Sequence, residues 1–148
     1  MASPGDSGPP RDRAALAILV AAVLGVAISA YLTIAHYAGA SLVCAQAAGI
    51  DCSAVTSSSY ALVPGTTIPI SLAGLAWSAV SGAAAIVAMR ADPPWLRPAH
   101  VAWAAAGVIV VLYLVNAEVA VIHRICEWCT ALHVLIGATF FLALARMR

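Results

Sequence analysis

Four long, nearly uncharged apolar runs constrain this chain more than any other feature. They extend from about Ala14 to Tyr37, from Ile68 to Met89, from Ala99 to Ile122 and from about Ile125 to Ala145. At about 1.5 Å per residue each run is long enough to cross a hydrocarbon core of about 30 Å as a helix. Barrel strands do not fit, because the runs are continuous rather than alternating over about ten residues. In lipid the backbone must then satisfy its own hydrogen bonds, which leaves helices. Composition agrees: 64% of residues are hydrophobic and 9% charged, against about 45–50% and 25% in soluble domains. Those figures exclude a soluble globule of this size, and they exclude a disordered chain. A net charge of +1 with no basic stripe argues against nucleic-acid binding. The expected fold is an all-α integral membrane bundle of four transmembrane helices, with the lipid bilayer as its main partner.

Arginine placement gives the expected orientation. Of the seven cationic side chains, Arg11, Arg13, Arg90, Arg97, Arg146 and Arg148 fall on one side of such a bundle and only Arg124 on the other. The positive-inside rule then places both termini and the Arg90–Pro98 turn in the cytoplasm. The long Ala38–Thr67 loop and the Ile122–Trp128 turn fall outside. Residues 1–12 read as a disordered cytoplasmic tail, and 13–148 as the membrane domain. Ala38-Gly39-Ala40 has the form of a signal-peptide cleavage site, but the preceding apolar run exceeds the usual 7–15 residues, which favours retention. Gly74, Ser78 and Gly82 recur every four residues and form a small-xxx-small seam on the second span. His36 and His100 read as interfacial, as do the belt aromatics Tyr37, Trp95 and Trp103.

The chain has four cysteines, Cys44, Cys52, Cys126 and Cys129, and this topology puts all of them at the outer face, where disulfides persist. Four cysteines allow three pairings, and the residues alone do not choose among them. Cys126-Glu127-Trp128-Cys129 is a C-x-x-C opening a helix, so its two sulfurs share a helix face. First-turn N–H groups and the helix dipole favour a thiolate there, the attacking species in disulfide exchange. Zinc ligation would call for a tighter spacing than the seven residues between Cys44 and Cys52. A c-type haem would call for a histidine where Thr130 stands. Two inert structural disulfides are a further reading, although a C-x-x-C ring constrains little chain. Glu118 and His133 are the ionisable groups inside the outer ends of the spans, and such groups are candidates for function. A purely structural role would have them satisfy each other or interfacial water.

These residues carry a resemblance to a known family. Cys44…Cys52-Ser53-Ala54-Val55-x-Ser57-Ser58, then Ile68-Pro69-x-x-Leu72-x-Gly74, then Ile122-His123-Arg124-Ile125-Cys126-Glu127-Trp128-Cys129 resemble the vitamin K epoxide reductase family in its bacterial, single-domain form. Order, spacing and topology match over roughly residues 14–145. The resemblance implies a four-helix bundle around a quinone and a bacterial cytoplasmic-membrane location. By position, Cys129 faces the quinone, Cys126 exchanges with Cys52, and Cys44 meets an extracytoplasmic thioredoxin-like partner. Ser58 matches a pocket serine of the family, and His133 and Glu118 join it as candidate quinone contacts. The Asn and Tyr that the animal enzymes use for vitamin K correspond to Ile70 and His133 here. That departure points to a respiratory quinone, menaquinone or ubiquinone. Since no thioredoxin-like domain follows Arg148, a separate partner protein is expected.

The expected activity is thus that of a membrane thiol oxidoreductase coupling quinone reduction to disulfide formation in that partner. Two alternatives stand beside it: a quinone or vitamin K epoxide reductase drawing on a thiol reductant, and a non-enzymatic scaffold with structural disulfides.

Overall fold

The computed structural model describes residues 10–45 and 47–148, so residues 1–9 of the expected tail lie outside the described residues, whereas residues 10–12 belong to the first helix. Helix α1 (Pro10–Ala38) is followed by a short α2 (Cys52–Thr56) and a 3-10 turn (Ser59–Ala61), then by α3 (Ile70–Arg90), α4 (Leu96–Asn116) and α5 (Glu127–Ala145). A π-helical segment, Ala117–Ile122, continues α4. Among the described residues there is no strand, only two isolated bridges. Four helical stretches are long and apolar enough to span a bilayer: Arg13–Ala38, Ile70–Arg90, Leu96–Ile122 and Glu127–Ala145. Their outward faces are apolar as well, with Ile34, Ile109 and Phe141 each about two-thirds exposed. This is a multi-pass membrane protein.

Local chemistry sets the boundaries. α1 stops at Gly39, whose φ of +60° allows Ala40 N–H to donate to Ala35 O (3.0 Å) and Gly39 N–H to His36 O (3.3 Å), a Schellman close. α3 starts two residues later than the apolar run, because Pro69 occupies its N-cap. α4 starts earlier than expected, at Leu96, with Pro98 accommodated in its first turn. Asp51 caps α2 by accepting from Ala54 N–H at 2.9 Å.

α1 packs along α3 and α5, whereas α3 and α4 touch far less. The α1–α3 contact is the small-residue seam read from the sequence: Gly25 lies against Ser78, Gly74 against Ser29 and Gly82 against Ala22. Thr33 Oγ1 donates to Ser71 Oγ at 2.9 Å near the cysteine end of this seam. At the opposite end of the bundle Asp92 binds both Arg97 and Arg146, each at 2.6 Å. His100, expected at the interface, is instead enclosed there and 2% exposed. Small alanines on α1 and α3 let the helices close around this end, with Ala15, Ala88 and Leu96 in mutual contact.

Candidate active site

The C-x-x-C motif is built by the turn that precedes it. The π-helical segment ends at His123, whose left-handed φ of 54° reverses the chain. Arg124 N–H then donates to Glu118 O at 3.1 Å, and Cys126 N–H to Glu118 Oε2 at 3.3 Å. Cys126 is the N-cap of α5, and its sulfur accepts from Cys129 N–H at 3.3 Å. Both Cys126 and Cys129 are free thiols. The Cys129 thiol, donating to Cys126, is the main influence holding the Cys126 thiol below its ordinary pKa, and helix N–H groups add to it against the opposing effects of burial and the Glu118 charge.

Cys44 and Cys52 form a disulfide with a Cα separation of 6.3 Å. Cys52, the first residue of α2, packs with Val55 and Cys126 in one buried cluster, flanked by Leu42, Cys44, Ile122, Trp128 and Cys129. The two chain segments are stitched at this point. Asp51 N–H donates to Ile125 O (3.0 Å) and Ile125 N–H to Gly49 O (2.9 Å). The residues immediately before Cys52 and before Cys126 are therefore hydrogen-bonded to each other.

Below the cysteines an apolar cavity of about 410 Å³ lies within the bundle, with walls that include Ser58, Gly74, Trp77, Trp103, Gly107, Glu118, Cys129, Leu132 and His133. Four of the residues singled out from the sequence, Ser58, Glu118, Cys129 and His133, thus meet in one space. Cys126, Cys52 and Cys44 are not among its walls. Ser58 Oγ donates to Val55 O at 2.7 Å. Glu118 pairs with Cys126 N–H rather than with His133, and among the described residues the His133 ring has no hydrogen-bond partner. Of the structural alternative, the part in which Glu118 and His133 pair with each other does not hold. Sequence reasoning missed the tryptophans that close the cavity. Trp77 Nε1 donates to Trp103 O at 3.2 Å, and Trp103 Nε1 to Ser81 Oγ at 3.2 Å. Trp103 read as a belt residue because its position in the run gives no hint of a partner on α3. Gly107, against which the Trp77 ring lies, was the available signal.

A model of the vitamin K epoxide reductase family matches residues 16–144. The chain belongs to this family. No curated protein matches it. Membership makes it a membrane oxidoreductase of the quinone and disulfide kind, and the cavity fits that chemistry. Its volume and apolar walls are those of a small-molecule site, and Ser58, Glu118 and His133 are among its few polar groups, with His36, Thr56, Tyr60 and Ser71. The family's redox chemistry has a disulfide in this chain to work with, Cys44–Cys52.

Proposed function

We propose that this protein couples quinone reduction to disulfide formation in an extracytoplasmic thioredoxin-like partner. One observation carries the reading: Cys129 lines the apolar cavity, whereas Cys126, behind it, packs against Cys52 of the second pair. A dithiol bordering a cavity and a disulfide packed against it describe a relay. Cys129 and Cys126 form the inner pair, Cys52 exchanges with Cys126, and Cys44 meets the partner's thiol. Ser58, His133 and Glu118 hold the quinone, which when bound supplies a two-electron, two-proton acceptor. Menaquinone and ubiquinone both suit the cavity. The membrane is the bacterial cytoplasmic one that the family resemblance implies, and the arginine distribution supports an orientation with the cysteines on the outer side and both termini inside.

The test uses two electron donors. Cys129→Ser should abolish quinone reduction by dithiothreitol as well as by a protein dithiol. Cys44→Ser should lose only the protein donor, because a small dithiol reaches the inner pair directly. Unchanged quinone reduction by Cys129→Ser overturns the assignment, and equal loss of both donors in Cys44→Ser makes the outer pair structural.

A further inference from the structure

The segment carrying Cys44 has an unusual attachment. Residues 41–45 belong to no helix, and exposure alternates along them: Ser41, Val43 and Ala45 are exposed, Leu42 and Cys44 half-buried. A period of two is the signature of extended backbone. The two residues between the cysteines of the C-x-x-C motif grip this segment on either side of Cys44. Trp128 Nε1 donates to Val43 O at 2.7 Å, and Glu127 Oε1 accepts from Ala45 N–H at 3.0 Å. Tyr31 on α1 completes the grip, its hydroxyl accepting from Val43 N–H at 3.1 Å, and its ring packs edge-on against Trp128.

Both backbone groups of Val43 and the N–H of Ala45 are thus engaged with the bundle. In an extended chain the groups of successive residues point to opposite edges. The N–H and C=O of Leu42 and Cys44 therefore face away, and among the described residues neither residue makes a backbone hydrogen bond. The arrangement is a single strand with one edge held by side chains and the other open, and an open edge is a template for an added strand.

We infer that the Leu42–Cys44 edge, clamped by Trp128, Glu127 and Tyr31, is the docking strand for the redox partner, which pairs with it through an extended segment lying beside its own redox cysteine. This rests on the function proposed above, in which Cys44 meets the partner's thiol. The occupant follows from the placement of the disulfide. Paired strands lie about 4.8 Å apart, so backbone pairing at residues 42 and 44 brings a neighbouring thiol within reach of Cys44. Residues 41–45 carry no charge, so backbone recognition works for thioredoxin-fold partners of differing surface charge.

Two measurements test the edge. In the Cys52→Ala chain, Cys44 is captured as a mixed disulfide, either with a single-cysteine thioredoxin or with 2-mercaptoethanol, and amide hydrogen exchange is read at residues 42 and 44. Slowing of at least about tenfold in the thioredoxin adduct alone is expected, and equal exchange in the two adducts overturns the proposal. Turnover gives the second readout. Leu42→Pro deletes one edge N–H, whereas Leu42→Ala keeps it. With reduced thioredoxin as donor, the KM of Leu42→Pro should exceed that of Leu42→Ala about three- to tenfold, the scale of one lost hydrogen bond. Leu42→Ala carries the cost of the lost side chain, which packs on the Cys52–Cys126 cluster, so it is the reference, and with dithiothreitol as donor the two variants should share one KM. Equal KM values for Leu42→Pro and Leu42→Ala with thioredoxin overturn the edge. If Leu42→Pro fails with dithiothreitol as well, it has misfolded, and the exchange result decides. A parent chain that reduces quinone with neither donor removes the underlying function instead.

Discussion

Gly107 decides how near α4 stands to the Trp77 ring. A Cβ at this position would lie 2.7 Å from two atoms of the indole, closer than side-chain carbons ever come to a neighbour. Ala is the better helix former by about 1 kcal/mol, so propensity alone predicts that Gly107→Ala stabilises the protein. Overpacking against a ring held by its bond to Trp103 O costs about 1–3 kcal/mol and opposes that gain. The Gly107→Ala protein is expected to unfold at a lower temperature in detergent and to show a raised quinone KM, because the displaced indole moves into the cavity. A higher midpoint with unchanged KM would show that the ring moves freely. The same residue shows what a sequence reading can reach. Glu118 and His133 were legible because ionisable groups are rare inside apolar runs, the cysteines because they are few and reactive, and Ser58 only through the family resemblance. Gly107 and Trp77 were not, because a glycine and a tryptophan in lipid-facing sequence have many ordinary roles and their contact crosses two helices.

Between elements, the α1–α3 seam carries the closest approach. A Cβ on Gly25 would stand 2.6 Å from Ser78 Oγ, and that hydroxyl is buried with no hydrogen-bond partner among the described residues. Gly25→Ala should therefore destabilise the bundle by about 1–3 kcal/mol, and Ser78→Ala in the same chain should recover most of the loss. Ser78→Ala alone should be neutral or stabilising, since it removes an unsatisfied polar atom. Thermal midpoints of the four proteins form a double-mutant cycle, and additive effects would mean that the two positions do not touch. The every-fourth spacing of Gly74, Ser78 and Gly82 makes this face readable from residue order alone. The π-helical segment is not readable in that way, because Ala117–Ile122 is apolar apart from Glu118 and its pattern fits either helical register. What selects the wider turn is tertiary: Glu118 must reach Cys126 N–H, and the chain must reverse at His123. The number and type of spans came from composition and run length. Their ends shifted by a few residues where Pro69 and the Asp92 turn took over.

Across the whole molecule the two ends of the bundle are held by different chemistry, and each gives a measurable response. At the end away from the cysteines, Asp92 binds Arg97 of α4 and the almost fully buried Arg146 just beyond α5. The hydrogen bond from Arg97 is the main cause that holds the Asp92 carboxyl below its usual range, with the Arg146 charge adding to it. A depressed carboxyl pKa contributes stability that is complete above the unfolded value, about 3.9, and is lost as pH falls through the folded one. The parent chain should therefore lose thermal stability below about pH 4 more steeply than Asp92→Asn. At pH 7 Asp92→Asn should be weaker by about 2–4 kcal/mol, because it strands the Arg146 charge. Parallel pH curves would show that the carboxylate does no such work. At the cysteine end, the decisive question is whether the two pairs exchange. The Asp51–Ile125 backbone bond fixes the residues adjoining Cys52 and Cys126, and both cysteines already lie in one buried cluster. A bridge requires Cα atoms within about 7 Å, a condition that adjoining hydrogen-bonded residues favour. In Cys129→Ala the Cys126 thiolate attacks Cys52 Sγ, the Cys52–Cys126 bond forms, the Cys44–Cys52 bond breaks and Cys44 leaves as a thiol. The exchange is redox-neutral, and without Cys129 the thiol that resolves it on the inner side is gone. Non-reducing peptide mapping of Cys129→Ala should therefore find Cys52–Cys126 as the main inter-segment bond. A dominant Cys44–Cys126 bond would reverse the roles of the outer cysteines. The absence of both bonds would mean that the two pairs do not communicate, and the relay would fail with its geometry intact.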